Sequence, residues 1–131
     1  MSTDLTNSAE AKRIVLAFYD LAFVKRQPAK ARDLYLGANY KQHNPTAPDG
    51  PGVFPDLING LFAQVPQASF HLKRSIAEGN LVVLHYNLRM SPEDPGQAVV
   101  DIFRVEDGKI VEHWDVMQTV PTEAVNTNGM F

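Results

Sequence analysis

Two aspartates and a histidine, Asp101, Asp115 and His113, stand in one strand-forming stretch, "DIFRVEDGKIVEHWDV" from Asp101 to Val116, where Val or Ile would pack better. His113 and Asp115 are two apart and share a face of any extended segment, since side chains alternate across a strand. Asp101 joins them if the chain folds back between Val105 and Lys109. An imidazole flanked by two carboxylates on an apolar surface is expensive unless hydrogen-bonded. Such a cluster serves either as a structural network or as a proton carrier.

The register of that hairpin decides the matter. A two-residue Asp107-Gly108 turn pairs Glu106 with Lys109, sets Asp101 opposite Trp114 and splits the three groups between faces. A three-residue loop over Glu106-Asp107-Gly108 pairs Val105 with Lys109 and sets Asp101 opposite His113. The second is preferred. One face then carries Val99, Asp101, Phe103, Val111, His113, Asp115 and Met117, a pocket wall with polar tips. The other carries Val100, Ile102, Arg104, Ile110, Glu112 and Trp114, with Arg104 and Glu112 paired diagonally. An outer face bearing Trp, Ile and Val is too apolar for water and predicts a homodimer through that face.

His43, in "YKQHNPTAPDG", precedes Asn44-Pro45 at the start of the longest loop, a position suited to a pocket rim; Asn44 is read as a turn cap. Tyr19 and Tyr35 lie on helices that roof the cavity, where a phenol can donate to a developing enolate oxygen. His85 reads as a core histidine and His71 as surface. His43, Asp101, His113 and Asp115 could together bind a divalent metal, but they match no recognised metal motif, and no metal is assigned.

The elements that position these groups follow from periodicity. Asn7 caps a first helix with Glu10 in the capping-box position, and Ala11, Ile14, Phe18, Leu21 and Ala22 share a face. A second helix runs from Pro28 to a stop at Gly37, with Ala31, Leu34 and Tyr35 inward. Extended residues span at most Tyr40 to His43. Phe54, Leu57, Ile58, Leu61, Phe62 and Val65 mark a third helix, ended by Pro66. Strands follow at Ser69 to Ala77, "LVVLHYNLRM", "QAVVDIFRV" and "KIVEHWDVMQ". Helices first and antiparallel strands later make an α+β fold with helices on one side of a curved sheet. The polar tail ends in Met130-Phe131, an apolar end that can tuck under a neighbour.

The 131 residues suit one domain, 1–131. Hydrophobic residues at 44% and charged ones at 21% are globular proportions. Twelve basic against fifteen acidic residues, net −3, with only scattered basic pairs, exclude a nucleic-acid partner. With no cysteine there is neither a disulfide framework nor a thiolate site. No leader and no membrane-length apolar run are read, so a cytoplasmic protein without membrane association is expected.

"YKQHNPTAPDG", "DIFRVEDGKIVEHWDV" and the terminal "NTNGMF" resemble the SnoaL-like polyketide cyclases, above all the branch described as SnoaL-like aldol-condensation enzymes. The resemblance covers nearly the whole chain. It implies the cystatin-like cone shared with nuclear transport factor 2, scytalone dehydratase and ketosteroid isomerase, with a cavity between helices and sheet and dimers through the sheet. It also implies general acid/base chemistry by Asp115 in an aldol closure, without metal or organic cofactor. Where those cyclases carry a histidine fourteen residues before the acid/base aspartate, this chain has Asp101. The expected function is an enzyme acting on a small carbonyl compound, with catalytic residues Asp115, His113, Asp101 and His43. The alternative is a non-catalytic ligand-binding or dimerisation domain of the same fold.

Overall fold

The computed structural model of the chain describes residues 7–131, so the reading of the N-terminal leader lies partly outside them. The first helix, α1 (Ser8–Tyr19), starts where Asn7 accepts a hydrogen bond from the Glu10 amide at 2.7 Å. The Glu10 carboxylate does not reach back to close a capping box; it pairs with Arg13. Beyond Tyr19 the chain continues as a single π turn, Asp20–Val24, closed by Lys25 N–H on the Asp20 carbonyl at 2.9 Å. This wider turn keeps Ala22 in the core and carries Phe23 onto Phe70, ring centroids 4.5 Å apart.

Helix α2 (Pro28–Tyr35) begins at a proline, as expected, but ends two residues before Gly37. Strand β1 (Leu36–Gln42) starts at once, so Gly37 belongs to the sheet. A Cβ there would meet Val111 Cγ1 at 3.2 Å, so close strand packing, and not a left-handed stop, explains the glycine. Leu34, expected inward, is exposed. Helix α3 (Phe54–Gln64) follows the Pro-rich loop and turns Phe54, Leu57, Ile58 and Leu61 toward the sheet.

The remaining chain is β2 (Ser69–Glu78), β3 (Leu81–Arg89), β4 (Gln97–Glu106) and β5 (Lys109–Thr119), in the spatial order β1-β5-β4-β3-β2. The three pairs among β2 to β5 are antiparallel, whereas β1 joins the edge of β5 in parallel, a pairing the sequence did not announce. The helices pack on one face of this curved sheet, so the architecture is the expected α+β cone. Its core runs from Ala11, Ile14, Val15 and Phe18 of α1 to Val82, Leu84, Val99, Phe103, Val105 and Ile110 of the strands.

The β4–β5 hairpin corrects the expected register while preserving its consequence. The turn is the two-residue one, Asp107 (φ 52°) and Gly108 (φ 77°), with Glu106 opposite Lys109. Left alone, that register would divide the ionisable residues between faces. Val105 pairs with Ile110 and Arg104 with Glu112, so Val111 is an extra residue and the strand shifts by one. Phe103 then lies opposite His113, and Asp101 opposite Asp115. Ile110, assigned to the outer face from sequence, is fully buried in the core, and Met117, assigned to the pocket, is exposed. His85 is not a core residue: it sits beside Arg74, with the Phe131 ring centroid 5.4 Å away.

Between β3 and β4, the buried Asn87 amide donates to the carbonyls of Pro95 and Gln97, at 3.0 and 3.2 Å, and pins the connection. Gly96 (φ 76°) passes so near Leu88 that a Cβ would stand 2.1 Å from its carbonyl oxygen. Gly96→Ala should therefore lower unfolding free energy by roughly 2–4 kcal/mol, combining backbone strain with a forced shift of β3. Gly79→Ala, also at positive φ but in open space, should cost only about 1 kcal/mol. Urea denaturation of the two variants checks the contrast.

Candidate active site

Between the sheet and α3 lies a cavity of about 190 Å³. Its apolar wall is Phe18, Phe23, Phe54, Phe70 and Phe103 with Leu57, Ile58, Leu61 and Leu88. Its polar groups are Tyr40, Gln42, Asn44, Tyr86, Asp101, His113 and Asp115. The hairpin thus delivers Asp101, His113 and Asp115 to one concave surface. Asp101 and His113 are 3% and 8% exposed, so neither can rely on bulk water.

Strand β1 supplies what those groups need. Its parallel register sets Gln42 beside His113, and the chain keeps alternating past the strand end: Gln42 points in, His43 out, Asn44 in again. The motif read for its histidine therefore contributes its two neighbours. His43 lies across the sheet from the cavity, its ring stacked on Trp114 at 5.0 Å and its Nε2 2.7 Å from the Glu112 carboxylate. Asn44, read as a turn cap, does accept from Thr46 N–H, but its other end reaches Asp115. The alternation of Q-H-N was the available signal, and it required knowing that β1 pairs with β5.

The hydrogen bonds fix the amide orientations and, through them, a proton. Gln42 Oε1 accepts the Asn44 backbone N–H at 3.0 Å, so that end of the amide is oxygen. His113 Nδ1 lies 2.7 Å from the same oxygen and must carry a hydrogen to donate. His113 Nε2 is 3.1 Å from Asp101 Oδ1 and 3.9 Å from Asp115 Oδ2. With Nδ1 already protonated, the Nε2–Asp101 contact holds one further proton, on the imidazolium or on the carboxyl. Asn44 Oδ1 accepts from Thr46, which turns its Nδ2 to Asp115, 3.0 and 2.7 Å from the two carboxylate oxygens. Both Asp115 oxygens are acceptors, as those of an ionised carboxylate are.

The phenols at the site are not those expected. Tyr19 is in the core and Tyr35 away from the cavity; Tyr40 and Tyr86 line it instead. Burial first, and the Asp101 carboxylate second, push both lining phenols far above their ordinary range, so they stay protonated donors. Tyr86 shares this wall with Asp101, whose negative charge helps to keep the phenol protonated. Tyr40 accepts from Gln42 Nε2 at 3.2 Å, its one hydrogen-bond partner among the described residues, which leaves its own O–H free to donate. Behind them the Tyr19 hydroxyl is buried without a partner, at a cost of about 1–3 kcal/mol.

Ligand atoms of Asp101, His113 and Asp115 come within 4.8 Å of one another, the spacing of a small cation site. The donor set argues for protons instead. A cation would have to displace the proton between Nε2 and Asp101 and the amide hydrogen that Asn44 directs at Asp115. No helix among the described residues is long and apolar enough to cross a membrane.

A curved sheet with helices closing one face over a polar-tipped cavity defines a nuclear transport factor 2-like cone. The chain belongs to the SnoaL-like domain family, whose model matches residues 15–113. No curated protein matches it. Among solved structures, TsrD from Streptomyces laurentii superposes with a TM-score of 0.68 at 23% identity, covering 86% of this chain and 90% of that one. A nuclear transport factor 2-like protein of unknown function from Mesorhizobium loti gives 0.69 at 23%, covering 85% and 93%. A protein proposed to be an isomerase of the SnoaL-like family from Agrobacterium tumefaciens gives 0.69 at 15%, covering 84% and 98%. At these identities the likeness is one of fold.

Two outcomes follow. Nitrogen-15 correlation spectra at neutral pH should show His113 Nδ1 protonated, and a bare Nδ1 would overturn the proton assignment. On the outer face, burial raises the Glu112 carboxyl, but hydrogen bonds from His43 and Arg104 outweigh it and hold the group below its ordinary value. A depressed folded pKa adds stability that is complete above the unfolded value of about 4.3 and is lost as pH falls through the folded one. The difference in urea midpoint between wild type and Glu112→Gln should be full at about pH 5.5 and narrow progressively as pH falls below the unfolded value of about 4.3.

Proposed function

We propose that the chain is a SnoaL-like enzyme that removes a proton α to the carbonyl of a small molecule, using Asp115 as general base. What supports this most is the unequal treatment of two neighbouring carboxylates. Asp115 accepts hydrogen bonds at both oxygens, while Asp101 shares a proton with His113 Nε2. One is thereby a base and the other part of a proton-bearing pair, in a cavity with apolar walls.

In the reaction, the α-carbon's C–H bond breaks, an O–H bond forms on Asp115, and the electron pair moves into an enolate. The free Tyr40 hydroxyl donates to the enolate oxygen. The proton held between His113 and Asp101 is available for return to carbon or oxygen. Asn44 and Gln42 are positioning residues: one aims the base, the other fixes the imidazole tautomer. An aldol closure, an isomerisation or a dehydration would each begin from that enolate.

Hydrogen–deuterium exchange at the α-carbon of bound ketones is the direct assay. Asp115→Asn should lower exchange by about 10²–10⁴-fold, with circular dichroism unchanged. Tyr40→Phe should lower it by roughly 10²-fold. Undiminished exchange in Asp115→Asn would overturn the assignment.

A further inference from the structure

Resting on the enolising reading above, we infer that the substrate class is a neutral, compact ketone or aldehyde carrying a single ring, and that anionic carbonyl compounds are excluded. Three features of the cavity lead there: its charge, its size and its walls.

No Lys or Arg appears among the residues that line it, whereas Asp101 and Asp115 do. The proton between Asp101 and His113 makes that pair neutral in sum, which leaves Asp115 as the site's negative charge. A carboxylate, phosphate or sulfate on the substrate would enter an apolar-walled pocket facing a like charge, with no Lys or Arg on its lining as counterion. Two charges of the same sign a few ångströms apart at a protein surface of reduced dielectric repel strongly enough to weaken binding by tenfold or more. Desolvation of the incoming anion adds to this. A neutral carbonyl meets no such opposition.

Size sets the second limit. A cavity of about 150 Å³ lined by Leu, Ile and Phe side chains takes up benzene. At about 190 Å³ this one, open on one side, has room for one ring and a short carbonyl arm, and a rigid guest of three fused rings would have to project from its mouth. The walls set the third. Phe103 lies 4.9 Å from the His113 ring, and Phe18 is within 5.2 Å of Phe54 and 5.9 Å of Phe103, centroid to centroid. Rings in these tilted and edge-on arrangements offer a flat guest both faces and edges.

Three probes separate the features: acetophenone, its anionic relative 4-acetylbenzoate, and tricyclic 2-acetylanthracene. Binding is measured by titration calorimetry or ligand-observed NMR, and α-proton exchange in D₂O is measured separately. Acetophenone is expected to bind at least tenfold more tightly than either of the others. Leu61→Lys, which places a cation on the cavity wall outside the polar cluster, is expected to shift the preference toward 4-acetylbenzoate by at least tenfold. Equal or tighter binding of the anion or the tricycle to the wild-type protein overturns the inference, as does Leu61→Lys leaving the anion preference unmoved. Acetophenone that binds as expected but never exchanges leaves the substrate class standing and defeats the enolising reading alone.

Discussion

One extra residue in β5 decides whether Asp101 shares a face with His113 and Asp115 at all. The tight Asp107-Gly108 turn sets a register in which Asp101 would face away from His113 and Asp115. Val111 absorbs the difference as a bulge, and the strand resumes one residue out of step. Because side chains alternate with a period of two, that single step moves the whole later half of β5 to the other face. The bulge also has a structural reward. It leaves Ile110 in the core against Val105 while Val111 packs beside Gly37, so two consecutive apolar residues are both buried.

The parallel edge strand β1 completes what the bulge begins. The antiparallel hairpin by itself would leave the outer side of His113 open; β1 covers it with an amide whose orientation is set by the Asn44 backbone. The same short stretch sends His43 to the opposite face, where it stacks on Trp114 and joins the Glu112–Arg104–Glu106 chain of ion pairs. Two polar networks thus stand back to back across one sheet. The buried one has its protons assigned by geometry; the other, partly exposed, contributes acid-sensitive stability.

The aromatic packing that holds the helices to the sheet also shapes the cavity. Phe18 and Phe23 reach α3 and β2 from α1 and its π turn, and Phe54 and Phe70 meet them there. The same rings line the hollow and give it apolar walls. The polar groups of β1, β4 and β5 border that hollow on the sheet side. Chemistry there would take place in a medium of low polarity, where each hydrogen bond is stronger than in water.

How much was legible in the chain follows from the range of the forces involved. Asn7, the apolar periodicity of α1 and α3, and the β-branched runs of β2 to β5 are local signals, and the elements they announce are present. His113 and Asp115 share a face of one strand by alternation alone, and Asp101 joins them at short sequence distance. Gln42, Asn44 and Tyr40 could not be assigned that way. Gln42 and Asn44 find their partners some 70 positions along the chain, Tyr40 is tied to the site through Gln42, and only the parallel docking of β1 on β5 reveals which members of Q-H-N face inward. Local periodicity is written in residue types because it depends on nearest neighbours. Which edge a strand joins, and where a bulge resets its phase, is chosen by the packing of the whole core, and that belongs to the tertiary structure.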